Sequence, residues 1–182
     1  SVGVGRGLSR VPRRRDSVEA AFAPGTVGGR QAHPPVVRKR IWKRVNNKER
    51  LLALRSAIAA TGRLDLVAGR GHDTANLKTL PLVAGNALQS LSKTGEVVTT
   101  LQRLGIWPDV MRVERRSKSR TGKARLRGRV RRVGKGPLIV VEEDKGIGMA
   151  ARNIPGVDVA LARDLNVELL APGAHLGRLT VW

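Results

Sequence analysis

Two segments of this chain hold nearly all of its charge, and neither is built to form a core. Across 182 residues there are 35 Lys and Arg against 14 Asp and Glu, a formal net charge of +21. From Ser1 to Arg44, eleven basic residues face only Asp16 and Glu19, a net of +9. From Arg112 to Lys135, twelve face Glu114 alone, a net of +11. The other 114 residues carry 12 basic and 11 acidic side chains. The chain therefore reads as an extended basic arm over 1–44 and a nearly neutral globular domain over 45–182, which carries a basic loop at 112–135. A chain of this length suits one domain, with about two-thirds of its unfolded surface buried on folding. Like charges in this excess repel, and a polyanion removes the strain by exchanging condensed counterions for Lys and Arg. Both segments are dominated by Arg, whose planar fork grips phosphate and stacks on bases. Both are also rich in Gly, which lets backbones approach closely. The expected partner is folded nucleic acid.

Aromatic content narrows the mode of binding. Only Phe22, Trp42, Trp107 and Trp182 are present, too few for the stacking platform of a single-strand reader. Recognition of RNA shape and backbone is favoured instead. Trp42, between Arg40 and Lys43, is the candidate for base stacking, with simple packing as the alternative. Trp107 before Pro108 reads as core or a turn anchor.

Several classes are disfavoured. With no cysteine, disulfides and thiolate metal sites are impossible and nothing argues for secretion. No apolar run approaches 20 residues, so neither a transmembrane helix nor a membrane partner is expected. His33, His72 and His175 lack metal-ligand spacing and read as surface or RNA-contacting residues. Glu142, Glu143 and Asp144 follow an apolar run, where α/β enzymes place carboxylates and Mg²⁺. No nucleophile motif or phosphate loop accompanies them, so a polar strand end is favoured. Gly3 to Gly7 and Gly134 to Gly136 lack the strand–turn–helix context of nucleotide loops. No cofactor, metal or catalytic residue is expected.

Elements can be read coarsely. Gly and Pro punctuate residues 1–44 without a sustained period. Asn46 and Glu49 open a helix containing Leu51, Leu54 and Ile58 at helical spacing, closed by Gly62 as a residue beyond the last turn. A second helix is predicted from Thr94 to Leu104, ended by Gly105. The apolar pieces Leu64–Val67 and Leu80–Val83 have no clear type. Leu138–Val141 has the unbroken apolar pattern of a strand buried on both faces. A short helix near Gly148–Arg152 follows, then a strand Val157–Ala160. A helix capped by Asp164 and running to Leu169 precedes a strand Arg178–Val181. This order predicts an α/β fold: a mostly parallel sheet flanked by helices, a Rossmann-like three-layer domain. The basic stretch 112–135 is expected to be an exposed loop with some turn or strand character. With Ser1 first and methionine only at Met111 and Met149, the chain is expected to be a fragment.

Six blocks in order resemble one family: GRGLSRVPR (Gly5–Arg13), AAFAPGTVGGRQAHPP (Ala20–Pro35), WKRVNNKERLLALRSAIAATG (Trp42–Gly62), LPLV (Leu80–Val83), EEDKGIGMAARNIPGVDV (Glu142–Val159) and LNVELLAPGAHLGRLTVW (Leu165–Trp182). They are similar to the universal large-subunit ribosomal protein four family in its archaeal and eukaryotic form. The resemblance implies a cytoplasmic, ribosome-bound structural protein rather than an enzyme. Its partners would be large-subunit rRNA, neighbouring ribosomal proteins and the nascent polypeptide. In that family a long basic loop reaches from the α/β domain into rRNA and narrows the nascent-peptide exit tunnel. Gly5, Arg6 and Gly7, with Arg10, would then lie near the tunnel. Arg13, Arg14, Arg15, Arg30, Arg38, Lys39, Arg40, Trp42, Lys43 and Arg44 would bind rRNA along the returning limb. From the globular side, Arg115, Arg116, Lys118, Arg120, Lys123, Arg125, Arg127, Arg129, Arg131 and Arg132 would do the same. The family's usual strand and helix before the loop are absent here. Two other readings compete: a regulator binding its own messenger RNA, and a nucleic-acid-processing enzyme using Glu142, Glu143 and Asp144 with Mg²⁺.

Overall fold

The computed structural model describes residues 31–77 and 79–182. The expected positions Gly5, Arg6, Gly7, Arg10, Arg13, Arg14, Arg15 and Arg30 lie outside the described residues. The chain divides into two units, Ser1–Arg44 and Val45–Trp182.

The second unit is organised around Leu138–Val141, the strand β3 that follows a two-stranded ribbon (β1, Lys118–Ser119; β2, Arg131–Arg132). Four consecutive apolar residues leave a strand no polar face, so both faces must be covered. Leu138 and Val140 pack with Ala57, Ala160 and Leu170. Ile139 and Val141 join a larger cluster on the other face, with Val97, Leu101, Val110, Ile147 and Leu179. Each fully buried side chain of this kind stabilises the fold by about 1.5–3 kcal/mol.

β3 pairs in parallel with β4 (Asp158–Leu161), in register from Leu138 opposite Asp158 to Val141 opposite Leu161. On its other edge it pairs in parallel with β5 (Thr180–Val181), giving the order β4-β3-β5. Parallel neighbours cannot be joined by a tight turn. The chain returns through the short helices Ile147–Ala151 between β3 and β4 and Val167–Leu170 between β4 and β5. The piece Leu80–Val83 also finds its place here. Leu82 bridges Val181 in parallel, and Trp182 N–H donates to the Leu82 carbonyl at 2.9 Å. The result is a mixed α/β domain, without a barrel among the described residues.

Seven α-helices are counted along the described residues: α1 (Asn47–Thr61), α2 (Leu64–Gly69), α3 (Thr94–Arg103), α4 (Trp107–Arg116), α5 (Gly122–Leu126), α6 (Ile147–Ala151) and α7 (Val167–Leu170). α1 and α3 fall where the sequence places them. Gly105 ends the second of these with φ +74°. A Cβ there would meet the Asn76 carbonyl oxygen at 2.9 Å, so glycine is required.

Four local expectations need correction. Gly62 closes α1 at φ −86°, in right-handed geometry, because the chain turns at once into α2. α1 also buries its small face, Ala57, Ala60 and Thr61, leaving Leu51, Leu52 and Ile58 exposed. Asp164 does not cap α7. It ends a one-turn 3-10 helix, and Asn166 instead accepts from the Leu169 N–H at 2.8 Å. Finally, α4 is a helix where a turn and a loop are predicted. Pro108 lies in its first turn, where a missing N–H costs nothing. Ile106, Val110 and Val113, spaced for one helical face, are all buried.

α4 also carries the least exposed carboxylate described. Asp109 is fully buried. Its Oδ2 accepts from His72 Nδ1 at 2.9 Å, and its Oδ1 accepts from Arg112 Nε at 2.8 Å and from the Asp73 backbone N–H at 2.9 Å. Removing one partner of a buried ionic network strands the others. Asp109→Ala is therefore expected to lower the unfolding free energy by about 3–5 kcal/mol, measured by urea denaturation of the full chain. A change under about 1 kcal/mol would show that the network is dispensable.

Candidate nucleic-acid interface

The basic stretch 112–135 is a structured projection rather than a plain loop. Arg112, Arg115 and Arg116 belong to the last turns of α4. The strands β1 and β2 then pair antiparallel, Lys118 opposite Arg132 and Ser119 opposite Arg131. Arg120 N–H donates to the Val130 carbonyl at 2.8 Å, extending the ribbon, and α5 crosses its tip. Backbone hydrogen bonds hold this unit, because it has no apolar core: Leu126, Val130 and Val133 are all exposed. A two-stranded hairpin is marginal alone in water. Lys118 opposite Arg132 places like charges face to face, which is destabilising.

The two ends of the stretch are tied down, and its middle is not. Arg112 is held by Asp109. Lys135 Nζ donates to Asp158 Oδ2 at 2.9 Å. Between them stand Arg115, Arg116, Lys118, Arg120, Lys123, Arg125, Arg127, Arg129, Arg131 and Arg132. Among the described residues, none of these ten has a carboxylate within 4.0 Å. Nine are exposed, and the tenth, Arg120, is half-buried with an Nε that has no hydrogen-bond partner among the described residues. These ten cations, on the ribbon and on the helix turns at its root and tip, concentrate positive charge that a polyanion would offset.

The root of the ribbon is fixed by close backbone packing. Gly136 N–H donates to the Gly156 carbonyl at 2.9 Å. Gly156 has φ +76°, and a Cβ there would lie 2.6 Å from Val113 and 3.0 Å from the Gly134 carbonyl oxygen. Beside it, Arg178 is completely buried. Its Nε donates to the Gly136 carbonyl and its second terminal nitrogen to Asp158 Oδ2 at 2.6 Å. Burial alone would raise the Asp158 pKa, but Lys135 and Arg178 overrule it and the carboxyl lies below the ordinary range. The balance at Asp109 is the same: burial opposes, His72 and Arg112 prevail, and the pKa is lowered.

Other predicted positions sort clearly. In the first unit, Arg38, Lys39, Arg40, Lys43 and Arg44 are all exposed, around a turn in which Lys39 N–H donates to the Val36 carbonyl. Trp42 is 77% exposed, so packing does not occupy its ring. His33 and His175 are exposed, whereas His72 is buried against Asp109 and is not a surface residue. Glu143 pairs with Lys145 at 3.3 Å. Asp144 accepts from the backbone N–H groups of Gly148 and Gly146, each at 3.0 Å, at the entry to α6. Those two bonds satisfy backbone donors at the helix entry and lower its pKa. No helix among the described residues is long and apolar enough to cross a membrane. Sequence reasoning missed Asp109, Asp158 and Arg178, the residues that anchor the ribbon. Of these only Asp109 carries a local signal, an acid in the first turn of a Pro-headed helix.

Over residues 2–182 the chain matches a family described as Ribosomal protein L4/L1 family. It is 47% identical to the large ribosomal subunit protein uL4 of Methanosphaera stadtmanae, an alignment covering all of this chain and 70% of that protein. Identity to uL4 of Methanothrix thermoacetophila is 50%, over 100% of this chain and 72% of the relative. For uL4 of Sulfurisphaera tokodaii it is 47%, over 100% and 68%.

The lowered pKa values of Asp109 and Asp158 set a sign for acid sensitivity. A carboxylate whose folded pKa lies below its unfolded value of about 3.9 contributes stability that is complete above that value. The contribution disappears as the pH falls through the folded value. Urea midpoints are therefore expected to fall steeply below about pH 4, and less steeply in Asp158→Asn. Equal acid dependence in both proteins would remove Asp158 as a contributor.

Proposed function

The chain belongs to the ribosomal protein L4/L1 family, and from that premise we propose that it binds large-subunit rRNA through its cationic ribbon while its arm approaches the nascent-peptide exit tunnel. As a family member it is a structural constituent of the ribosome, working in translation on the cytoplasmic ribosome, and not an enzyme. The carrying observation is the row of ten cations between Arg115 and Arg132 that lack a carboxylate partner among the described residues. Each phosphate neutralised by such a side chain releases counterion, so affinity comes from backbone contacts and needs no base reading.

In this reading the ribbon anchors and the arm reaches. Arg38, Lys39, Arg40, Lys43 and Arg44 bind rRNA along the arm, and the exposed Trp42 ring stacks on a base among them. The preceding arm residues Arg10, Arg13, Arg14, Arg15 and Arg30 continue the contact. Gly5, Arg6 and Gly7 stand beside the tunnel, where the nascent polypeptide passes. Neighbouring large-subunit proteins complete the surroundings. The parallel sheet belongs to a Rossmann-like three-layer domain, a reading supported by apolar clusters on both faces of β3.

The proposal separates two sets of residues. Arg125→Gln/Arg127→Gln/Arg129→Gln is expected to weaken binding to a large-subunit rRNA transcript by roughly 100-fold at 0.1 M salt, about 0.7–0.9 log units per phosphate contact. Charge reversal at Arg6 should change nascent-chain passage in a translation-arrest assay more than it changes rRNA affinity. Equal affinity losses from both sets would contradict the division between anchor and reach.

A further inference from the structure

A second cationic feature lies at the foot of the ribbon, outside the residues assigned above. Arg70, His72, Arg112, Lys135 and His175 line an open cleft of about 860 Å³. Three elements meet there: the turn after α2, the inner edge of α4, and the loop that follows α7. We propose that this cleft is a phosphate subsite, in which Arg70, Arg112 and Lys135 hold one phosphate group of the bound RNA.

The charge balance favours an anion. Five cations stand in or against the cleft, namely Arg63, Arg70, Arg112, Lys135 and Arg178, with three carboxylates, Asp65, Asp109 and Asp158. Asp65 is taken up by Arg63, which donates to it through Nε at 3.2 Å and a terminal nitrogen at 2.8 Å. Asp109 is shared by Arg112 and His72, and Asp158 by Lys135 and Arg178. That leaves an excess of two positive charges with the histidines neutral. Arg70 itself has no carboxylate partner among the described residues. Its proton affinity is lowered by burial and then by the nearby charges of Arg178 and Arg112, so these guanidinium groups repel one another across a half-enclosed space. An anion relieves that repulsion.

The donors are also held in place beforehand. Arg70 donates to the His175 carbonyl and, at 2.9 Å, to the Pro172 carbonyl. Arg112 is held by Asp109 at 2.8 Å and reaches the Lys135 carbonyl at 3.4 Å. A guanidinium has five N–H donors, so both retain hydrogen atoms for a ligand. Oriented charged donors lose little entropy on binding phosphate. His72, whose side chain is 1% exposed, lines the same cleft with Nε2 unpartnered among the described residues. Arg112 and Lys135 bracket the ribbon in sequence. The cleft therefore adjoins both ends of the basic stretch.

The identification of RNA as the source rests on the reading above, whereas the anion site itself does not. Two measurements on the full chain separate them. The first is the salt dependence of affinity for a large-subunit rRNA transcript in wild type, Arg70→Gln, Lys135→Gln and the double variant. Lys135 is half-exposed and, among the described residues, pairs only with Asp158, so Lys135→Gln keeps the test valid if Arg70→Gln loosens the loop at Pro172. Loss of one phosphate contact should weaken binding about fivefold at 0.1 M salt and make the log–log slope shallower by about 0.7–0.9. Because both side chains serve one phosphate, the double variant should lose no more slope than one contact. The second measurement is thermal stability in inorganic phosphate against chloride at constant ionic strength. Phosphate should raise the Tm of wild type and of Arg125→Gln/Arg127→Gln/Arg129→Gln, but not of Arg70→Gln/Lys135→Gln. A lost phosphate response with an unchanged rRNA slope would support the site and overturn RNA as its source. Unchanged slope and unchanged phosphate response together would overturn the proposal. If the wild-type chain shows no salt-dependent rRNA binding, the wider reading fails, and the phosphate response alone decides the cleft.

Discussion

Two carboxylates hold the most cationic part of this protein to its neutral domain. Asp109 fixes Arg112 at one end of the basic stretch, and Asp158 fixes Lys135 at the other. Each is drawn out of water into a setting that would by itself favour protonation; hydrogen bonds from His72 and Arg112 keep Asp109 ionised, and Lys135 and Arg178 do the same for Asp158. This arrangement allows a marginal two-stranded ribbon to stand out from the domain with its cations directed outward. Without such an anchor, a coreless hairpin with Lys118 opposite Arg132 would gain little from folding.

The same arrangement makes charge a positioned quantity rather than a total. A net charge of +21 says only that a polyanion is welcome. The structure divides the cations into those used internally and those left over. Arg178, wholly buried, serves the sheet: it joins the Gly136 carbonyl, the Leu169 carbonyl and Asp158. The ten basic side chains from Arg115 to Arg132 pair with no carboxylate among the described residues. Arg70 belongs to an intermediate group, with its geometry fixed by two carbonyls and its charge unmatched.

How much of this was legible beforehand depended on the range of the interactions. The strand Leu138–Val141 was legible because four apolar residues in a row demand two covered faces. The helix from Thr94 was legible from its apolar spacing and from Gly105. α4 was hidden because Trp107-Pro108 suggested a turn and the arginines beyond suggested a loop, although Ile106, Val110 and Val113 carried the helical spacing. The burial of Asp109, His72 and Arg178 was not legible. Each is buried only because a residue distant in sequence supplies its partner: Asp109 for His72, Asp158 for Arg178. α1 misled for a related reason. Its leucines set the periodic signal, while packing selected the alanine face that permits close approach. Family resemblance reached further than local pattern because it summarises such long-range pairings.

The central claim is that the ribbon's unmatched cations are matched by RNA phosphates. The most direct measurement is the logarithm of affinity for a large-subunit rRNA transcript against the logarithm of salt concentration, for the intact chain. If at least half of the ten ribbon cations meet phosphate, the slope is about −4 or steeper, at about 0.7–0.9 per contact. A slope near zero would contradict the account, because it would mean that binding neutralises no phosphates.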